Sequence, residues 1–429
     1  MIKYNKWFKA AAAVAVILCY SIIMYLLFYR QCIAYEGAYI SDMEAYLLEA
    51  QGLESGYDFP YPLMFWTARL FMIFAGPEAA MALAVTLLNS LSLVLMIYYF
   101  RIYMKRMVTD SGRKWGYGWE AASILLSLSL FFASMVFGPR GHGFFGYNYT
   151  YRCNGAYTPN PYWNATYMAT RPFSIVCFFS SVTLLDKYEY CRYGRMCSAG
   201  EKIPPDKVSG IKDYIIFAAS LFLTTITKPS YTLVAVITFA VILLWRFCKS
   251  KGKNTMPSIW FGLTFLPAGF ALLYQYGSVF TGTNSQGEET GIGFAIGKAW
   301  SIYSDNIPLS MVRALIFPVV VLICNLPQLK KNTWFRHGWQ VLTVGWLMML
   351  CLYEKGFRLA HVNFSWGYMH GLFFVYTVSV FILLLNTLEA KGKLRKGAVA
   401  AGWLAYLWHV VCGIIYFLYI YEGNNSAYF

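Results

Sequence analysis

Residues 61–100 read YPLMFWTARLFMIFAGPEAAMALAVTLLNSLSLVLMIYYF and run directly into the basic segment RIYMKRMVTDSGRK at 101–114. A stretch of this length and composition holds either two membrane spans or one span preceded by a helix lying flat. The choice fixes the side of the membrane on which every later loop falls. A helix needs about 20 apolar residues to cross the hydrocarbon core. Two spans would place 101–114 outside, against the excess of Lys and Arg that cytoplasmic loops carry. One span keeps it inside. Tyr61–Phe74 is therefore expected to lie on the outer surface, the chain to turn at Gly76-Pro77, and the span to follow at 78–100.

The rest of the chain has the same character. Of its 429 residues 58% are hydrophobic and 13% charged, with a mean hydropathy of +0.47; soluble domains carry about 25% charged residues. Apolar runs recur along the whole length without the alternation of a barrel strand, so an all-α polytopic membrane protein is expected. Eleven spans are read, at roughly 10–29, 78–100, 119–138, 167–185, 212–227, 229–247, 257–276, 308–327, 338–353, 367–387 and 397–420. The whole of 1–429 then forms one transmembrane domain with exterior loops at 30–77, 139–166 and 277–307. With the N-terminus inside, 25 of the 35 Lys and Arg are cytoplasmic, while 12 of the 20 Asp and Glu are exterior. The net charge of +15 is thus a topology signal and does not point to nucleic acid. This reading gives a multi-pass plasma-membrane protein with a cytoplasmic N-terminus and an exterior C-terminus.

The first run, Ala10–Tyr29, follows Lys3, Lys6 and Lys9 and lacks a small-residue cleavage site, so it reads as a retained signal anchor. The ten cysteines contain no CxxC pair, and neither a disulfide framework nor a zinc site is expected. Cys32 and Cys153 both fall outside, where they could pair, and read first as unpaired thiols. Asn148, Asn164 and Asn363 head glycosylation sequons, which have meaning only in a secretory-pathway host.

The first exterior loop reads YISDMEAYLLEAQGLESGYDFPYPLMF at 39–65 and holds Asp42, Glu44, Glu49, Glu54 and Asp58, with Glu36 just upstream. Exterior loops are acidic as a class, so Glu49, Glu54 and Asp58 read as a solvated face. Asp42 and Glu44 differ because they stand at the start of a helical pattern, directly ahead of the surface helix. A carboxylate there is kept ionised by the helix dipole, and the plainest role for Asp42 is an N-cap.

One span, an acidic first loop, a surface helix entered through YPYP and a long span ending in a basic turn make a recognisable order. It resembles the GT-C superfamily of integral-membrane glycosyltransferases, including protein mannosyltransferases that use dolichyl-phosphate mannose and their bacterial relatives. The textual likeness covers residues 35–106, with Asp42-Met43-Glu44 standing where the family carries a paired acidic motif; beyond 106 it is topological. The resemblance implies sugar transfer from a polyprenyl phosphate, with inversion, to a saccharide, lipid or protein hydroxyl at the outer face. It implies that Asp42 is the base; Glu44, two residues on, either supports a metal or the acceptor or faces solvent. No cofactor is certain, and because relatives differ in metal dependence a divalent metal at this pair stays open.

Such chemistry needs cations for the phosphate leaving group. ATRPFSI at 169–175 and ITKPSYT at 226–232 each place a basic residue before a proline at the start of an apolar run, so Arg171 and Lys228 are expected at helix N-termini, where an anion also binds. Snorkelling to lipid headgroups is the plainer reading of both. Arg140 and Arg358 are further exterior cations, with His142 and His361 close by. Tyr157, Asn160 and Trp163 lie in a loop dense in Asn, Gly and aromatics, suited to sugar rings or to an interfacial aromatic belt. Loop 277–307 is Gly- and Thr-rich and reads as a mobile lid. Two other functions compete. A transporter or flippase of lipid-linked saccharides would bury ionisable residues mid-span and show internal repeats. A polysaccharide polymerase or ligase would, by analogy, carry its key residues in a large later loop.

Overall fold

The apolar runs fold as helices because the chain can satisfy its own backbone groups in lipid only that way. The computed structural model describes residues 6–34, 37–57, 59–137, 155–192, 209–252, 255–280 and 290–424. It is almost entirely α-helical. The helices are α1 (Lys6–Cys32), α2 (Met43–Gln51), α3 (Leu63–Phe71), α4 (Pro77–Asp110), α5 (Tyr117–Leu130), α6 (Ala165–Arg192), α7 (Ile211–Thr227) and α8 (Ser230–Lys249). They continue as α9 (Thr255–Leu263), α10 (Leu266–Phe280), α11 (Ile307–Cys324), α12 (Gln328–Lys331), α13 (Thr333–Cys351), α14 (Ser365–Glu389) and α15 (Lys393–Tyr421). Two short strands, β1 (Ile292–Phe294) and β2 (Leu352–Glu354), pair antiparallel with Ile292 opposite Glu354.

Among the described residues seven helices are long and apolar enough to cross a membrane: α1, α4, α6, α8, α11, α14 and α15. The pair α9–α10, bent by 51°, makes an eighth if it is one broken span. The chain is therefore a multi-pass membrane protein. The other three of the eleven expected spans fall on α5, α7 and α13, of 14, 17 and 19 residues. α5 is short because the chain leaves the helix at Phe131 and runs irregularly to Phe137.

That irregular backbone is buried, and side chains from distant helices satisfy it. Asn160 Nδ2 donates to the carbonyls of Leu130 and Ala133 (2.8 and 2.7 Å), and Tyr162 Oη donates to Phe131 O (2.6 Å). Arg313 Nε donates to Val136 O, while Val136 N–H returns to Arg313 O (3.0 and 2.9 Å). His409 accepts the Phe317 N–H at Nε2, so Nδ1 carries its proton and faces Ser134 O at 2.6 Å. Non-helical backbone survives at membrane depth only when protein groups cover it in this way.

α14 is buried on nearly every face, packed by α4, α5, α6, α8, α11, α13 and α15. Its contact with α13 depends on absent side chains: a Cβ on Gly345 would lie 2.9 Å from Gly367 O, and one on Gly371 would lie 2.8 Å from Leu342 Cα. Between α1 and α4, Arg69 of α3 donates to the carbonyls of Ala50 and Glu49 at the end of α2 (2.9 and 3.0 Å). This fixes α2 against α3 and fills Ala50 O, an acceptor that the helix end leaves open, while Glu49 O also receives the Gly52 N–H. Trp66 and Leu70 of α3, and Ile73 and Phe74 after it, stay exposed.

Candidate functional site

α2, the α7–α8 junction, α10 and the segment 352–366 enclose a cavity of about 980 Å³. One end is polar, lined by Asp42, Glu44, Asn164, Lys228, Glu354, Arg358, His361 and Asn363. The other is apolar, lined by α8 and α10 through Leu233, Val236, Phe270, Leu273 and Val279 among others.

Asp42 stands at the N-cap of α2, yet its carboxylate makes no capping bond; Ser41 Oγ accepts the Met43 N–H instead (3.2 Å). The carboxylate turns to the polar network. Asn164 Nδ2 donates to Asp42 Oδ2 (2.6 Å), and Tyr46 Oη, one turn along α2, donates to the same oxygen (3.3 Å). Burial, followed by the Asp42 charge, pushes the Tyr46 phenol well above its ordinary pKa, so it stays a donor.

Asn164 is the hub. Its Oδ1 accepts from Tyr167 N–H (2.9 Å), capping α6, and from Thr166 Oγ1 (3.0 Å) and Lys228 Nζ (3.2 Å). Three donors on one side and a carboxylate on the other fix the amide orientation. Lys228 also donates to Thr166 Oγ1 (2.8 Å), and its Nζ lies 4.7 Å from the centre of the Trp366 ring. Burial pushes Lys228 down to about 8, opposed by the charges of Asp42 and Glu354. On the opposite wall Asn363 Nδ2 donates to Glu354 Oε2 (2.5 Å), and Trp366 Nε1 donates to Asn363 Oδ1 (3.2 Å). Burial pushes Glu354 up, opposed by the Asn363 amide and by Arg358 and Lys228.

The charges at this end are not paired with one another. Among the described residues, contacts within 4.0 Å join Arg101 to Glu120, Arg106 to Asp110 and Lys187 to Asp213, none of them at the cavity. An unpaired buried Lys and an unpaired buried Glu each cost several kcal/mol in order of magnitude. Asn164 lies between Asp42 and Lys228 and bonds both, so the two charges are held beside each other without closing into a salt bridge.

Five of the residues expected from sequence meet here: Asp42, Glu44, Lys228, Arg358 and His361. His361 packs against Tyr57 of the first loop, with ring centres 5.6 Å apart. Arg171 does not join them. It was expected at a helix N-terminus, but Asn164 starts α6 earlier and leaves Arg171 about two turns inside. There it is fully buried, donates to Pro159 O (3.2 Å) and lies over the rings of Phe131, Tyr167 and Phe373. The proline stretches at 169–175 and 226–232 are therefore not equivalent, since Lys228 sits in the break between α7 and α8. Tyr157, Asn160 and Trp163 are also buried away from the cavity: Tyr157 against Trp300, Asn160 under the end of α5, and Trp163 against Trp366 and Tyr416. Arg140 and His142 lie outside the described residues, as do Glu36, Asp58, Asn148 and Cys153. The described half of loop 277–307 is anchored by the β1–β2 pairing, contrary to a wholly mobile lid.

Sequence reasoning missed Glu354, Asn363 and Trp366 as site residues, and took Asn164 for a sequon in an aromatic loop. The clue to Glu354 was available: a lone carboxylate in YEKGFRLAHVNF, four residues before Arg358. Among the described residues no cluster of three or more His, Cys, Asp or Glu could hold a metal ion. Compared with known proteins, the chain matches no protein-family model and has no significant match among curated sequences.

Proposed function

We propose that the protein is a GT-C-like glycosyltransferase that moves a sugar from a polyprenyl phosphate to an acceptor hydroxyl at the outer membrane face, with inversion. One observation carries the reading: a single cavity joins charges that have no ion-pair partner among the described residues to an apolar wall from α8 and α10. A lipid-phosphate sugar has the same division. Its chain suits the wall of α8 and α10, its phosphate suits Lys228 and Arg358, and its sugar falls among the remaining polar groups.

In this mechanism Asp42 accepts the proton of the acceptor hydroxyl. The freed oxygen pair attacks the anomeric carbon from the face opposite the phosphate, and the carbon–oxygen bond to phosphate breaks. The bonding pair leaves on the phosphate, whose added charge Lys228 and Arg358 neutralise. Tyr46 and Asn164 aim the carboxylate, and Asn164 keeps Lys228 from capturing it. Glu44 faces the same cavity and is assigned to acceptor binding; no step runs through a metal. In the membrane we assign all eleven helical segments as spans, α3 as a helix at the outer surface, and the N-terminus to the cytoplasm.

Buried Arg171, Arg313 and His409 would favour a transporter, but their bonds go to backbone carbonyls and rings away from the cavity. The test is to purify the chain and assay both activities: transfer from a panel of polyprenyl-phosphate hexoses, and movement of the same lipids across liposomes. Transfer supports the reading. Lipid movement without transfer across the panel overturns it.

A further inference from the structure

The segment from β2 to the start of α14 supplies three groups to the polar end within ten residues: Glu354, Arg358 and Asn363. Glu354 is only 6% exposed, and its carboxylate is held through Oε2 by the Asn363 amide. It is pinned at its base as well, since β2 pairs with β1 and Lys355 N–H donates to Gly291 O (2.9 Å). Between Glu354 and α14 the backbone is strained. Val362 has φ 42° and ψ 47°, the left-handed region that a β-branched residue rarely enters, and its side chain is buried. Such a conformation costs about 1–3 kcal/mol and persists only where the surroundings impose it. Here it sets the direction of the next residue, Asn363, whose amide bonds Glu354 and receives Trp366 Nε1–H.

A carboxylate is acceptor-only. One oxygen of Glu354 is engaged by Asn363, and the residue lines a cavity with no cation within 4.0 Å of it among the described residues. The ligand groups that complete it are O–H or N–H donors; a phosphate is repelled. Resting on the reading above, we propose that Glu354, oriented by Asn363, is the sugar-recognition residue of this cavity: it accepts hydrogen bonds from ring hydroxyls of the donor's sugar and so directs the phosphate to Lys228 and Arg358. The segment thus sorts the two parts of one headgroup, hydroxyls to Glu354 and phosphate to the cations. Asn363 is a positioning residue that acts through Glu354.

The test compares binding of polyprenyl phosphate with binding of polyprenyl-phosphate mannose, glucose and galactose to the purified full-length protein. Wild type is expected to bind at least one hexose form about 10-fold tighter than the bare lipid phosphate, the size of one good charged hydrogen bond. Glu354→Gln should reduce that advantage to within about twofold, leaving affinity for the bare lipid phosphate equal or higher because a repelling charge is gone. Asn363→Ala should reduce the hexose advantage less strongly and leave affinity for the bare lipid phosphate unchanged, since the Glu354 charge remains, and it serves as the second variant if Glu354→Gln unfolds. The proposal is overturned if a folded Glu354→Gln keeps the full hexose advantage, or if wild type binds bare and glycosylated lipids alike. If wild type binds no polyprenyl phosphate of any kind, the glycosyltransferase reading itself falls, and this assignment with it.

Discussion

Lys228 should lower the stability of the protein that carries it. The residue is 5% exposed and has no salt-bridge partner among the described residues, and burial pushes its pKa from 10.5 to about 8. Because the folded state binds the proton less tightly than the unfolded chain, the penalty is fully present below pH 8 and is relieved as pH rises from about 8 towards 10.5. The difference in pKa corresponds to about 3 kcal/mol at neutral pH. Lys228→Met keeps most of the aliphatic stem and removes the charge, together with the contact of the ammonium with the Trp366 ring. The acceptors it leaves keep other partners, since Asn164 Oδ1 still receives Thr166 and the Tyr167 N–H. Offsetting about 1 kcal/mol of lost hydrogen bonding, the variant should gain about 1–2 kcal/mol at pH 7, read as a rise of a few degrees in unfolding temperature in detergent. The gain should shrink as the pH of the assay rises from 8 to 10. Affinity for polyprenyl phosphate should fall with the same substitution, and in wild type it should weaken above pH 8 as the ammonium is lost. A lower unfolding temperature for Lys228→Met at pH 7, or a difference from wild type that is flat from pH 7 to 10, would refute the view of Lys228 as a buried charge retained for a ligand.

Other substitutions separate site from scaffold. Arg358→Met should weaken polyprenyl-phosphate binding about 10-fold, whereas Arg171→Met should leave it unchanged, since Arg171 lies among Phe131, Tyr167 and Phe373 outside the cavity; equal losses in a lipid-binding assay would contradict that division. Gly345→Val should lower the unfolding temperature strongly, at a cost of about 3 kcal/mol, because its Cβ would meet backbone that cannot move aside. Asn164 should stay unmodified when the chain is made in a glycosylating host, because its side chain is 1% exposed and bonded to Asp42; a glycan at Asn164 by mass spectrometry would mean that the network does not form.

The helical, membrane-embedded character of the chain was legible because apolar period and length report directly on burial in lipid. The order α2, α3, α4 was legible for a local reason: Gly76-Pro77 and the basic segment after Phe100 constrain the path on both sides. α5 was not, because what ends it at Phe131 is Asn160, Arg313 and His409, residues far away in sequence. For the same reason nothing local shows that Arg313, inside α11, bonds the backbone at Val136. Asp42 and Lys228 stood out as charges at helix boundaries, but so did Arg171, and only the cap at Asn164 separates them by starting α6 two turns earlier. Asn164 reads locally only as a sequon, and Glu354 only as a lone carboxylate four residues before Arg358. Their roles come from which distant groups the fold brings to them.

The most direct test of the account is transfer by wild type and Asp42→Asn, side by side, from a polyprenyl-phosphate sugar that the wild type uses. Both proteins should unfold at the same temperature, since the Asp42 side chain is exposed to the cavity and caps no helix. Both should bind the donor alike. Released polyprenyl phosphate and glycosylated acceptor should appear in equal amounts with wild type, and at least about 100-fold more slowly with Asp42→Asn. Undiminished transfer by Asp42→Asn, with the donor still bound, would contradict the claim that this carboxylate takes the acceptor's proton.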